Sequence, residues 1–253
     1  MRKLLIALFL SLPLSATSLV VGANDGPDNA NGFPFGTNGG VAAGFYDPLA
    51  TFQQIYSAMA FPGPITITGV AFASSSGQGG SAGTFTDSLT LGLGTAAQPV
   101  TSPSGTYSAN RGSDFTTVFT GPVTARLTET DTFDLSFSFS TPFNYNPATG
   151  DLLFQVMIGT PVAYTGSFLY FDAGNSAAVS EVFNPRPSTT GNPYAGYGLL
   201  TQFTYSPAAG SVTPEPASSA LICLGIASMV VMRIRKSPLR KSPLRKDPLR
   251  KDL

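Results

Sequence analysis

Between residues 45 and 206 the apolar side chains come in short runs alternating with polar ones, and no window sustains the period of an amphipathic helix. The clearest run is Phe133-Asp-Leu135-Ser-Phe137-Ser-Phe139-Ser, in which every second residue is aromatic or aliphatic. Successive side chains of an extended chain point to opposite faces, so this run predicts a strand with one buried and one wet face. Thr84-Phe85-Thr86-Asp87-Ser88-Leu89-Thr90-Leu91-Gly92-Leu93 predicts a second, and Val123, Ala125 and Leu127 mark a third. In Pro64–Ala73, Ile65 and Ile67 share one phase and Val70 and Phe72 the other, with Gly69 between them. A one-residue slip of phase at a glycine is the trace a β-bulge leaves in sequence.

Further strands are expected around Thr51–Met59, Phe115–Phe119, Asp151–Ile158, Ser167–Phe171, Ala178–Phe183 and Leu199–Tyr205. Turn-forming stretches such as Asn144–Asp151 and Gly191-Asn192-Pro193 separate them. About ten short strands with no helices between them predict an all-β domain, an antiparallel β-sandwich of jelly-roll-like form, over residues 51–206. Residues 24–50 are rich in Gly and Asn with no apolar period, and are read as a loosely packed leader to that domain.

Charge is segregated along the chain. The 253 residues carry 14 basic and 14 acidic side chains, with no His and a single Cys, Cys223. From Asn24 to Thr213 there are three basic residues, Arg111, Arg126 and Arg186, against eleven acidic ones, whereas Arg233–Leu253 holds nine basic and two acidic. Such a split points to a chain whose ends meet a membrane while its acidic middle lies elsewhere. Lack of His excludes Ser-His-Asp and Cys-His catalysis and His-ligated metals. Lack of Lys between 24 and 213 excludes Schiff bases and a P-loop there. An acidic middle with three scattered Arg argues against nucleic-acid binding, which depends on basic side chains neutralising phosphates.

The ends read as addresses. Arg2-Lys3, the apolar run Leu4–Leu12 and the compact residues around Val21-Gly22-Ala23 predict a secretory signal peptide over residues 1–23, with Ala16 as the alternative cleavage point. At the other end a linker, 207–216, contains Pro214-Glu215-Pro216 and leads into Ala217–Met232, sixteen residues without a charge, followed by Arg233, Arg235 and Lys236. As a helix this run reaches about 24 Å, a short transmembrane segment against a hydrocarbon core of roughly 30 Å. The basic cluster fixes its own side as cytoplasmic, so the acidic middle is translocated. Residues 237–253 repeat a five-residue Lys-Ser/Asp-Pro-Leu-Arg unit, where recurrent proline prevents a helix and predicts a disordered basic tail.

Taken in order, Pro214-Glu215-Pro216, the apolar run and the basic stop cluster of 217–236 resemble the PEP-CTERM sorting signal of exported proteins in Gram-negative bacteria. The resemblance implies recognition by an exosortase-type processing protease, with the motif as substrate. It also implies a transient inner-membrane intermediate held by the C-terminal helix, then residence in the cell envelope or an extracellular polysaccharide or biofilm matrix. The family normally stops just after the basic cluster; the repeat tail departs from that pattern. Phe61–Phe72 and Thr141–Leu153 are similar to phrases that recur in secreted proteins of this group, which implies a β-sandwich and carries no active site.

Several motifs dissolve on inspection. Gly79-Gly80-Ser81-Ala82-Gly83 has the spacing of a nucleophile elbow, but the chain has no His to deprotonate Ser81. Gly92-Leu93-Gly94 imitates a dinucleotide fingerprint, but Pro99 stands where the helix must run. Glu129, Asp131, Asp134 and Glu181 keep open a carbohydrate-active hydrolase using paired carboxylates. Asp25, Asp28, Asn29 and Asn31 keep open a calcium-dependent adhesion module, although their spacing is not that of an EF-hand. Tyr145, Tyr194 and Tyr197, in Gly/Asn/Pro-rich loops, are the candidate glycan contacts. The preferred reading is a non-enzymatic exported protein without cofactor or metal, associated with surface polysaccharide.

Overall fold

The computed structural model describes residues 16–24, 30–37, 45–75, 82–128 and 130–208. Strands β1 (Thr17–Val21), β2 (Ala30–Asn31), β3 (Thr51–Tyr56), β4 (Ile65–Phe72), β5 (Gly83–Thr95) and β6 (Thr116–Leu127) come first. They are followed by β7 (Leu135–Tyr145), β8 (Leu152–Ile158), β9 (Ala163–Tyr164), β10 (Phe171–Asn184), β11 (Asn192–Leu199) and β12 (Thr201–Pro207). Among the described residues there is no α-helix, and none long and apolar enough to cross a membrane. Every strand pairing is antiparallel. One sheet runs β1-β12-β4-β7; the other runs β11-β10-β3-β8-β5-β6, with β2 added to β10 and β9 to β5. The all-β, antiparallel expectation therefore holds.

The alternation of β7 works as its sequence predicts. Leu135 and Phe137 are buried while Ser136, Ser138 and Ser140 are exposed. The phase slip in β4 is also realised. Against β12 the register steps from Ile67 opposite Tyr205 to Gly69 opposite Thr204, so Thr68 is the extra residue. Ile65, Ile67, Val70 and Phe72 consequently all reach the core. A Cβ on Gly69 would lie 2.7 Å from the Phe137 carbonyl oxygen, which is why the slip occurs at glycine.

Side chains of both sheets share one core, in which Phe72 of β4 packs on Phe154 of β8 and Tyr56 of β3 on Phe203 of β12. Strand β3 is buried at all six positions. Phe52 and Tyr56 belong to the main core, while Ile55 forms a second small core with Val100 and Leu153 beneath the loop that follows β5. A strand covered on both faces loses its polar/apolar alternation, which explains Gln53-Gln54 at its centre.

Three strand expectations need correction. Phe115–Phe119 and Val123–Leu127 form the single strand β6, because Pro122 is tolerated on an edge strand. Asn192-Pro193 opens the edge strand β11 instead of making a turn. Ser167–Phe171 is not a separate strand; β10 begins only at Phe171 and runs on through Ala178–Phe183. Residues 30–37, inside the expected loose leader, are built into the domain. Phe35 is fully buried among Phe72, Phe137, Phe171 and Phe85, with ring centroids 5.1, 5.6, 5.7 and 6.3 Å away. Isolated aromatics between glycines leave no period to read, yet each still brings a large apolar area to bury. Thr17–Val21, inside the expected signal peptide, forms β1. The rest of that expectation, residues 1–15, lies outside the described residues, as does the whole of 209–253 with Pro214, Glu215, Pro216, Arg233, Arg235 and Lys236.

Candidate functional site: a cavity beside Arg111

The loop between β5 and β6 crosses the outer face of the larger sheet and is tied to it by buried polar groups. Val100 N–H donates to Asp151 Oδ2 (2.7 Å), and the Ser180 hydroxyl donates to the Val100 carbonyl. Beneath the loop three amide side chains form a relay. Asn110 Nδ2 donates to Gln53 Oε1 (2.8 Å), and Gln53 Nε2 donates to Gln155 Oε1 (2.9 Å) and to the Tyr107 carbonyl (3.0 Å). Gln155 Oε1 also accepts from Arg111 Nε (3.0 Å). Buried amides that satisfy one another in this way fix each other's orientation, and the last of them fixes Arg111.

A cavity of about 180 Å³ lies beside this guanidinium, lined by Thr51, Tyr107, Ser108, Arg111, Ser188 and Thr189. The β10–β11 loop supplies its far wall and is stitched to the near one by Tyr107 N–H to the Thr189 carbonyl (3.1 Å) and Gly191 N–H to the Gly105 carbonyl (2.8 Å). The Tyr107 hydroxyl donates to the Thr51 carbonyl (2.6 Å), and burial raises its pKa, so it remains a neutral donor. Arg111 is exposed, and its guanidinium carbon stands 4.8 Å above the Phe115 ring. Neither Gln155 nor Phe115 carries a negative charge. With Nε engaged behind it, the terminal nitrogens form a fork suited to a planar carboxylate or a sulfate, ringed by hydroxyls.

Carboxylates gather elsewhere. Glu181 is buried on β10, accepts a hydrogen bond from Asn31 Nδ2 (2.8 Å), and is pushed up to about 8 chiefly by burial, with the Asn31 contact opposing. Asp87 on β5 is pushed up to about 7 by burial, against hydrogen bonds from Ser88 and Thr160. Asp172, also on β10, is 2% exposed, and its Oδ1 has no hydrogen-bond partner among the described residues. Burial and the nearby charge of Asp131 raise it to about 6, while the Ser75 hydroxyl acts the other way. Asp131 is held beside that strand by its N–H to the Ser74 carbonyl (2.7 Å). Among the described residues no group of three or more Asp, Glu, Cys or His side chains could hold a metal ion.

The tyrosines expected to contact glycan part company. Tyr145 is buried, its hydroxyl donates to the Gly150 carbonyl (2.7 Å) and its ring meets Phe61 edge-on, so it cannot serve as a platform. Tyr197 is half-buried against the core. Tyr194 alone of the three is open, 49% exposed and stacked on Phe183, which stacks in turn on Phe33. The register sets Tyr194 opposite Glu181, whereas Ala195 is opposite Ser180, the residue that holds the β5–β6 loop; Tyr194 and the Arg111 cavity therefore lie on opposite faces of the sheet.

Of the candidate acids, Glu129 lies outside the described residues, and Asp134 Oδ2 accepts from the N–H and hydroxyl of Thr128 (both 2.9 Å) in a turn. Glu181 is buried with Asn31 as its hydrogen-bond partner. Asp25, Asp28 and Asn29 are also outside the described residues, and Asn31 is engaged on both sides, accepting from Phe33 N–H and donating to Glu181. Ser81 lies outside them too, and Gly92 and Gly94 sit within β5. Sequence reading missed Arg111 and Asp172. The available signal for Arg111 was its rarity, one of three cations in 190 residues. No family model matches the chain, and no curated protein or solved structure does.

Proposed function

We propose that this chain is a non-enzymatic protein of the bacterial cell envelope or extracellular matrix, exported by its N-terminal segment and sorted by a PEP-CTERM signal at Pro214-Glu215-Pro216. Its jelly-roll-like sandwich meets acidic surface polysaccharide at the Arg111 cavity. The observation that carries the binding half is the guanidinium held by Gln155 and set over Phe115, both neutral, at a hydroxyl-lined cavity of an acidic, lysine-free domain. A uronate offers the planar carboxylate for the fork and ring hydroxyls for Ser108, Ser188 and Thr189. A surface with three cations and a net negative charge repels polyanions in general, so selection there rests on local contacts such as the Arg111 fork.

Calorimetric titration with oligogalacturonate tests it. Arg111→Gln should weaken binding about 10-fold or more, the worth of one charge-assisted pair, with the melting temperature followed as a control. Neutral dextran should bind neither protein. Equal affinity of wild type and variant for the oligouronate contradicts the assignment.

A second reading, a calcium-dependent adhesion module, is favoured by the unpartnered Oδ1 of buried Asp172 beside Asp131. Two carboxylates and the Ser75 hydroxyl supply oxygen donors of the kind a hard cation takes. On this reading excess calcium raises the melting temperature by about 5–10 °C over chelator, and Asp172→Asn removes the difference. Identical melting in calcium and chelator rules it out.

A further inference from the structure

We propose that the exported chain is cut between Ala16 and Thr17, so that the mature protein begins with strand β1; this rests on the export reading above. Two compact residues, Ala16 and Ala23, can occupy the position before a signal-peptidase cut. Side-chain size at the position two residues earlier favours the later cut, Val21 being more compact than Leu14. The fold favours the earlier one.

Residues Thr17–Val21 pair in continuous register with β12, from Thr17 opposite Tyr205 to Val21 opposite Thr201. Val21 is 3% exposed and Leu19 packs against the main core. Beyond β1 the chain turns at Gly22, whose φ of +112° suits glycine and whose Cβ position would lie 3.0 Å from the Leu199 carbonyl oxygen. A cut after Ala23 removes the strand, the buried valine and the turn together. It also strips β12 along one side, leaving a seven-residue strand with an open row of N–H and C=O groups at the sheet edge.

The leader supplies an independent argument. Its apolar run ends at Leu12, so Ala16 follows four residues later and Ala23 eleven. A peptidase working at the membrane surface meets the segment just beyond the apolar run, and four extended residues span about 13 Å where eleven span about 36 Å.

Expression of the full-length chain in a Gram-negative host, followed by N-terminal sequencing of the exported form, tests the assignment. Thr-Ser-Leu-Val-Val at the new terminus supports it, and Asn-Asp-Gly-Pro overturns it. An uncut chain that keeps Met1 overturns both the cut and the export reading beneath it, which separates the two failures. A stability measurement adds a second arm. A chain starting at Asn24 should melt at least about 5 °C below one starting at Thr17 and identical thereafter; equal melting temperatures would show that β1 is dispensable and overturn the proposal.

Discussion

Glu181→Gln should remove the largest single share of a loss of stability that the wild-type domain suffers as pH rises from 5 to 8, Asp87 and Asp172 carrying the rest. Glu181 is raised from 4.5 to about 8 in the folded protein because it is buried, the hydrogen bond from the neutral Asn31 amide only partly opposing this. Below pH 4.5 folded and unfolded chains both hold this proton, and the group contributes no pH dependence. Above that value the unfolded chain releases the proton while the folded one retains it, so stability falls with rising pH until the folded group ionises near 8. The full loss is on the order of 3–5 kcal/mol. Asp87, raised from 3.8 to about 7 by burial, adds a loss of the same sign at lower pH. Glutamine keeps an acceptor for Asn31 Nδ2 and cannot ionise. Urea unfolding at pH 5 and pH 8 should show the variant gaining on wild type at the higher pH, and the same difference at both pH values would contradict this account.

Phe35→Ala should cost about 3–5 kcal/mol in urea unfolding, the usual penalty for removing a buried ring whose neighbours cannot collapse into the space. Phe35 has four other phenylalanine rings around it. It is flanked by backbone pairing, with Thr37 N–H donating to the Leu169 carbonyl (3.0 Å) and Leu169 N–H to the Thr37 carbonyl (3.2 Å). The prediction separates two views of the Gly/Asn-rich segment. A change under about 0.5 kcal/mol is what a residue of a loose leader would give.

How much of this was legible in sequence depended on how many faces each strand buries. Strand β7 has one wet face, and its Phe/Ser alternation announced it; β4 announced even its bulge, through two phases meeting at Gly69. Strand β3 is covered on both sides, so Gln53 and Gln54 look like surface residues but are fully buried, satisfied by Gln155, Tyr107, Asn110, Leu199 and Thr201. No local pattern foretells partners that far away in the chain. The same holds for Glu181, whose Asn31 partner is 150 residues distant, and for Arg111, whose orientation comes through Gln155. Strand β1 was obscured for another reason. Its Leu-Val-Val is what an export leader and a core strand have in common, and only the pairing with β12 distinguishes them.

Tyr145 shows why loop context was a poor guide to glycan contacts. It closes β7 with its ring turned inward, and the Gly150 carbonyl is close enough to take its hydroxyl, so a Gly/Asn-rich neighbourhood enclosed it. Arg111, in a stretch without apolar period, was instead placed by three buried amides and an aromatic face.

The segregated charge ties these threads together. On the proposed export and sorting reading, the acidic domain between a basic start and a basic end belongs to a precursor whose ends are removed, which would leave a strongly acidic mature protein. The most direct test is the intact mass of the protein recovered separately from cells and from the surrounding matrix. The account predicts a matrix form that begins at Thr17 and ends near Pro214-Glu215-Pro216, without the apolar segment or the repeat tail. A chain found only in the cytoplasm, with the mass of Met1–Leu253, would contradict it.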